Sequence, residues 1–396
     1  TATEYDNVLR LAKQRGYKFS GADTTTGHVT FYVIVPANAS GLGADNNYLP
    51  ILKKNSVVSS TNGASFILLD DVRFDHPANF VVAARVNEAT GVPTHYAIKS
   101  TGKVISGIFG QKTVTVGAFE KFRKVTISDS NIVEIISVTD SEGHEYFEVE
   151  YLSHDVVYKS VPNRDVNTRD NAPSLVRPFS APRRFTTEKD RSTITLQFGY
   201  GSDSEIAAPT LADPSNVVLQ RFSKSYVTDT AFDPSDLLGT DKLGVGPSNT
   251  TLTITYRSNT ASSSNAAANT VTRVTRALVD FVEPTVAGTT KADAVISSIE
   301  SANEDPINGS VRRPNVEEIR RRTLDYFPTQ NRAVTASDYE ALAYAMPSEF
   351  GSIKKCHIIR DQDSLKRNLN MYVLAESTTG RLETANSALK DNLKTW

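Results

Sequence analysis

From His28 to Val161 the chain is cut into short apolar runs by clusters of glycine, proline, asparagine and aspartate. The runs VTFYVIV, PILKKNSVVSS, ASFILLDDVRF, FVVAARV, THYAIKS, KTVTVGAF, KVTI, IVEIISVTD, YFEVEYL and DVVYKSV alternate with period two or are continuously apolar. Ten strand candidates in about 130 residues restrict this part of the chain to a β-rich fold. The clearest hairpin is IVEIISVTDSEGHEYFEVEY. Ile132, Ile136 and Val138 lie on one face and Val133 and Ile135 on the other, so both faces of that strand are expected to be covered.

With 396 residues the chain exceeds one ordinary core, and two to four units are expected. Residues 1–27 read as a helix and its lead-in. Tyr5, Val8, Leu9 and Ala12 share a helical face, Thr3 and Asp6 are placed to cap, and Gly16 to stop. Residues 28–160 form the β-rich domain. Residues 161–184, with four prolines, read as a connector, and Pro162, Pro173 and Pro178 are its candidate hinges. Residues 185–290 read as a second β-rich domain containing RSTITLQFGY, NVVLQRF, TLTITYRS and Val271 to Val282. Polar stretches interrupt it at Asp233 to Thr250 and Ser258 to Thr270.

Residues 291–396 read as a C-terminal α+β domain. Asn315 and Glu318 make an Asx form of the capping box, and Val316, Ile319, Thr323, Leu324 and Phe327 follow on one face until Pro328. A second start at Thr335, with Asp338 three residues on, leads through Tyr339, Leu342, Ala343 and Met346 to Pro347. Gly351 frees the chain to enter the extended run Ile353 to Ile359. Another strand is expected near Met371 to Ala375, and a final helix from about Thr379 through Leu382, Ala385, Leu389 and Leu393. That pattern runs to Trp396 without a glycine cap, so the sequence reads as part of a longer protein. The expected class is α+β, multi-domain and β-rich, with antiparallel sheets or barrel-like modules, a short N-terminal helix and a C-terminal α+β domain.

Composition narrows the function classes. Forty-three basic against 45 acidic residues give a net charge of −2, which supplies no global field to draw in nucleic acid or an anionic membrane. No apolar run approaches the roughly 20 residues of a membrane span. A single cysteine, Cys356, cannot form an internal disulfide, so assembly in a cytoplasm is expected.

Catalytic and ligand motifs are weak. Asp140, Glu142, His144 and Glu145 are close in sequence, but their spacing matches no metal loop, and Gly143 makes a polar hairpin turn the simpler reading. The six histidines form no HxH or HExxH pair. FGYG at Phe198 to Gly201 and the glycines from Gly239 to Gly246 precede no amphipathic helix, so a strand bend or turn is favoured over a phosphate loop. No GxSxG precedes a helix, and nothing around Cys356 marks a catalytic thiolate. Arg320, Arg321 and Arg322 diverge by about 100° per residue, and Glu317 and Glu318 lie at pairing distance in sequence. An exposed or inter-subunit ion-pair face is favoured over phosphate contact. Tyr326, Phe327, Tyr339 and Tyr344 gather at the elbow around Pro328, either as core or as a subunit contact.

The order EEIRRR, a turn, TASDYEALA, a proline and a strand resembles the C-terminal half of the baseplate J-like family of contractile phage tails. Within it, the likeness is greatest to the wedge proteins of T4-like phages, and ATEYDNVLRLAKQRGY (Ala2 to Tyr17), ILKKNSVVSSTNGASFILLDDVRF (Ile51 to Phe74) and LQFGYGSDSE (Leu196 to Glu205) agree with it. The resemblance implies a non-enzymatic structural subunit of the virion, assembled in the host cytoplasm, without cofactor or metal. It also implies homodimers joined into a ring around the tail hub, other wedge proteins as partners, and rearrangement on sheath contraction. No small-molecule substrate, direct nucleic-acid contact or membrane insertion is expected. Arg320, Arg321, Tyr326, Phe327, Tyr339 and Tyr344 are then the candidate interface, and Pro328 joins Pro162, Pro173 and Pro178 as a candidate hinge. A carbohydrate-binding or fibre-like β protein is the alternative, and a wall hydrolase would need paired carboxylates in a cleft.

Overall fold

The computed structural model describes residues 2–17, 24–129, 131–163, 174–189, 193–202, 243–259, 264–309, 314–347, 350–361, 368–377 and 380–396. The expected strand NVVLQRF, most of the stretch Asp233 to Thr250, and Pro173 lie outside these residues.

The chain begins with α1 (Tyr5–Gln14), then β1 (Thr26–Pro36), β2 (Pro50–Leu52), β3 (Val57–Ser60), β4 (Ser65–Leu68), β5 (Val72–Arg73), β6 (Phe80–Val86) and β7 (Pro93–Ser106). There follow β8 (Ile108–Val116), β9 (Lys124–Ile127), β10 (Ile132–Thr139), β11 (Glu145–Glu148), β12 (Val156–Pro162), β13 (Ser174–Ser180), β14 (Arg184–Lys189), β15 (Ile194–Phe198) and β16 (Thr250–Ser258). The last part holds β17 (Val271–Arg276), β18 (Val279–Phe281), α2 (Thr290–Ser297), β19 (Glu300–Ala302), α3 (Val316–Tyr326) and α4 (Ala336–Tyr344). It ends with β20 (Lys355–Arg360), β21 (Leu369–Glu376), β22 (Leu382–Thr384) and α5 (Ser387–Thr395). The protein is β-rich, with antiparallel, barrel-like sheets, a short N-terminal helix and a C-terminal region of helix and strand.

The chain divides into two compact units, one of residues 1–109, 131–134 and 257–396, the other of residues 110–130 and 135–256. This differs from the sequence segments: 28–160 and 185–290 each contribute strands to both units. Turn residues mark where strands end and carry no information on which distant strand will pair with them, so boundaries drawn at turns cut through sheets.

In the first unit the sheet runs β17-β3-β4-β7-β1-β19, with β6 added to the far half of β7. Alternation places Val29, Phe31, Val33 and Val35 of β1 inward, all fully buried, against Phe66, Leu68, Ile98, Val104 and Val271. β19 returns beside β17, and the seam is closed by a side chain. The fully buried Asn303 accepts from the amides of Thr270 and Val271 at 3.0 and 2.9 Å, and donates to the carbonyls of Ala267 and Asp305 at 2.8 and 2.9 Å. Ser301 adds an Oγ bond to the Val271 carbonyl at 3.2 Å. Helix α2 then covers the core through Ala292 and Val295.

The second unit contains the expected hairpin β10–β11, and Phe147 continues it by pairing in parallel with Arg184 of β14. Tyr146 meets Phe198 edge-on at 5.4 Å. Gly199 is required here, since a Cβ would lie 1.9 Å from the Gly244 carbonyl oxygen, and this close backbone approach accounts for the first glycine of FGYG.

The described residues of the proline-rich connector are instead mostly in strands. β12 and β13 pair antiparallel from Val156↔Ser180 to Pro162↔Ser174. Ala181 N–H donates to the Asp155 carbonyl at 2.7 Å, which sets the ladder's alternation and turns the backbone of Pro162 and Pro178 to the two outer edges. A missing N–H costs nothing there, so prolines that read as breaks are edge residues. The final helix also starts later than the pattern suggested. Leu382 belongs to β22, and Asn386 caps α5 by accepting from the Leu389 amide at 2.9 Å.

Asn303→Ala is expected to lower unfolding stability by roughly 2 kcal/mol, because it strands the buried Val271 amide and removes three partly buried bonds. Urea denaturation followed by circular dichroism measures this; a loss under about 1 kcal/mol would mean that the seam is held by something else.

Candidate functional site

The signature segment folds largely as read locally, except that Glu318 bonds Arg322 and does not complete a capping box with Asn315. Asn315 accepts from the Glu318 amide at 2.8 Å and starts α3, while Thr335 and Asp338 form a reciprocal capping box at α4. Between them Phe327–Thr329 makes one tight 3-10 turn containing Pro328. Gln330 and Asn331 then take left-handed conformations with φ of 49° and 57°. The turn is tied internally: Thr329 is buried, its hydroxyl donates to the Tyr326 carbonyl at 2.7 Å and accepts from the Asn331 amide at 3.2 Å, and Tyr326 OH donates to Asn331 Oδ1 at 3.3 Å.

The structure sorts the six candidate interface residues. Tyr326 turns inward and meets Tyr17 edge-on at 5.8 Å, where α1 packs on α3 through Val8, Leu9, Ala12 and Ile319. Burial raises the Tyr17 phenol above its ordinary value, against the opposing pull of Arg322. Tyr344 OH accepts from the Cys356 amide at 2.9 Å, and its ring lies under the Arg322 guanidinium at 4.9 Å. Tyr339 packs on the core formed by Ala343, Met346, Cys356 and Leu389. Arg320 pairs with Glu317 and donates to the Ala2 carbonyl, so it fastens the N-terminus to α3. Arg322, which the candidate list passed over, bonds Glu318 at 2.6 Å. Its signal in the sequence was the i, i+4 spacing.

Only Arg321 and Phe327 of the six are exposed. Phe327 is 51% exposed, with the Arg15 guanidinium 5.6 Å from its ring centre. Leu324, one turn back on α3, is 59% exposed, and Leu11, one turn from Arg15 on α1, is 50% exposed. Exposed apolar side chains therefore stand on α1, α3 and the elbow, with Arg15 beside Phe327. Leu11 was not singled out from the sequence, and Leu324, read on one face with Ile319, Thr323 and Phe327, is left uncovered with Phe327 while Ile319 and Thr323 are buried; an amphipathic count does not say how much of a face finds a cover.

The other constellations are structural. Asp140 organises the β10–β11 turn. Its Oδ1 accepts from the amides of Glu142 and His144 at 3.0 and 2.8 Å, Oδ2 lies 3.1 Å from His144 Nδ1, and Gly143 supplies a φ of 86°. Burial pushes its carboxyl up, but the bonds from His144 outweigh that and hold it below the ordinary range. Ligand atoms of Asp140, Glu142 and His144 lie within 4.8 Å of one another, yet both Asp140 oxygens are already engaged. The Cys356 thiol is pushed up to about 11 by burial, with Glu340 adding to the effect, so it stays protonated and poorly nucleophilic at neutral pH. Among the described residues no helix is long and apolar enough to cross a membrane.

Neither a family model nor a curated protein sequence matches the chain.

Two outcomes separate the elbow residues. Tyr326→Ala, which opens a gap against Tyr17, should destabilise by roughly 2 to 3 kcal/mol, whereas the exposed Phe327→Ala should cost less than about 1 kcal/mol in chemical denaturation. The capping box has a pH signature. Bonds from the Thr335 backbone, chiefly, hold the Asp338 carboxyl below its ordinary value, so its contribution is complete above the unfolded carboxylate range and is lost as pH falls below about 4. Asp338→Asn should flatten that acid limb of the stability profile; an unchanged slope would show that the carboxylate contributes nothing.

Proposed function

We propose that this chain is a structural subunit of the wedge of a contractile phage tail baseplate, which joins like subunits into the ring around the hub and rearranges when the sheath contracts. The observation that carries the reading is the signature segment itself: its two capped helices present Phe327 and Leu324 outward beside Leu11, while the tyrosines around them are spent on internal packing. Aromatic and aliphatic groups edged by arginine are the composition of interface centres. In a closed ring of dimers, two distinct self-contacts are needed, and at least one is isologous. The surface on α1, α3 and the elbow is assigned to one of them.

The elbow is also the candidate site of rearrangement. Hinges are a few residues at element ends that absorb changes in φ and ψ, and Gln330 and Asn331 already sit in a sparsely populated region, fixed by the Thr329 and Asn331 side chains. Superposition of conformers from extended and contracted tails tests this: a single rigid-body fit across the elbow would remove Pro328 and its neighbours as a hinge.

For the interface, native mass measurement at tens of micromolar should show an oligomer for the wild-type chain, and a shift toward monomer for Leu324→Ala combined with Phe327→Ala, with circular dichroism unchanged. A chain that is monomeric throughout, or a double variant that associates as well as wild type, would overturn the assignment.

A further inference from the structure

The β12–β13 hairpin offers one edge whose chemistry specifies its occupant. Among the described residues it is a two-stranded sheet, and two strands alone are marginal in water. With Ala181 bonded to Asp155, the ladder's alternation points the backbone groups of Leu175, Arg177 and Phe179 at β12, and those of Ser174, Val176, Pro178 and Ser180 outward. Val176 and Ser180 therefore present both N–H and C=O along the free edge of β13, and Pro178 presents its carbonyl alone. The side chains divide by face. One face carries Tyr158 opposite Pro178, with Tyr158 and Val176 72% and 69% exposed and with Ser180 at its end. On the other, Leu175 and Phe179, 41% and 40% exposed, flank Arg177, which stands directly opposite Lys159, a like-charge pair that is unfavourable unless an anion intervenes. Lys159 is served by Glu145 at 3.3 Å and by the Phe147 ring at 4.1 Å. Arg177 is exposed and has no ion-pair partner among the described residues.

We propose that the outer edge of β13 receives, as a third strand, an extended segment of a partner protein in which apolar residues alternate with aspartate or glutamate. Alternation of that kind puts carboxylates beside Arg177 on one face and apolar groups against Val176 and Tyr158 on the other, and the added ladder completes a three-stranded sheet. A second copy of β13 is a poor occupant, because SLVRPFS brings another arginine, another missing donor and no carboxylate. This assignment stands apart from the baseplate reading and is tested without it.

The test is fluorescence anisotropy of labelled peptides with the full chain. An alternating Val-Glu heptapeptide should bind and an alternating Val-Lys heptapeptide should not. The exposed change Arg177→Glu should weaken Val-Glu binding at least tenfold with circular dichroism unchanged. Val176→Pro, which removes an outward N–H and leaves the β12 ladder intact, should weaken it comparably. Absence of Val-Glu binding, equal binding of the Val-Lys peptide, or indifference to either variant would overturn the proposal. Arg177-dependent binding of oligothymidylate in preference to the peptide would overturn it in favour of a nucleic-acid surface.

Discussion

The first unit depends on how a barrel-like sheet closes when its last two strands do not meet by a regular ladder. Asn303 solves this with one carboxamide. Its two acceptor and two donor bonds connect the segment before β17 to the turn after β19, and they replace the ladder that β17 and β19 lack. No other neutral side chain of that size offers two donors and an oxygen with two lone pairs at once. The bond to the Val271 amide is buried and the other three are partly so; the Val271 amide in particular would be left a costly orphan if its partner were lost. The inward faces of β1, β4 and β7 can then pack as one core, since the ring that surrounds them has no open side there.

The same unit shows a second use of buried polarity, in the docking of α1 on α3. Apolar contact through Val8, Leu9, Ala12 and Ile319 supplies the area, but area is not directional. Direction comes from Arg320 reaching the Ala2 carbonyl and from the edge-on contact of Tyr17 with Tyr326. This arrangement explains why little of the segment that looked most like an interface in sequence is left free to be one: four of its six nominated side chains are consumed in holding the N-terminal helix and the C-terminal sheet to α3 and α4.

How much was legible in the sequence follows from which forces are local. The caps at Asn315 and Thr335, the turn at Gly143 and the alternating runs from His28 onward are set by neighbours within a few residues, and their elements form where the sequence indicates. Strand partnership is not local. Nothing near Val271 indicates that it will face Ser60, nor does anything near Phe147 indicate a parallel bond to β14, and the boundaries 28–160 and 185–290 divide the chain differently from its compact units for that reason. Pro162 and Pro178 misled in another way. Proline signals a missing donor, and whether that breaks a strand or merely ends its recruitment of neighbours depends on which edge the residue faces.

Exposure was the least legible property, and it bears most on function. The strand FVVAARV of β6 is almost wholly apolar, yet Phe80, Val81, Val82 and Val86 are all exposed, because β6 pairs only with the far half of β7. One face of β20–β22 likewise carries Tyr372, Leu374 and Leu382 uncovered, while Cys356, Ile358 and Ala375 turn toward α4 and α5. Apolar periodicity states that a residue needs a cover and is silent on whether the chain or a neighbour provides it. The first unit closes its sheet with a short seam at Asn303 and Ser301, so the strands and helix faces left uncovered are arguments for neighbours rather than for defects of folding.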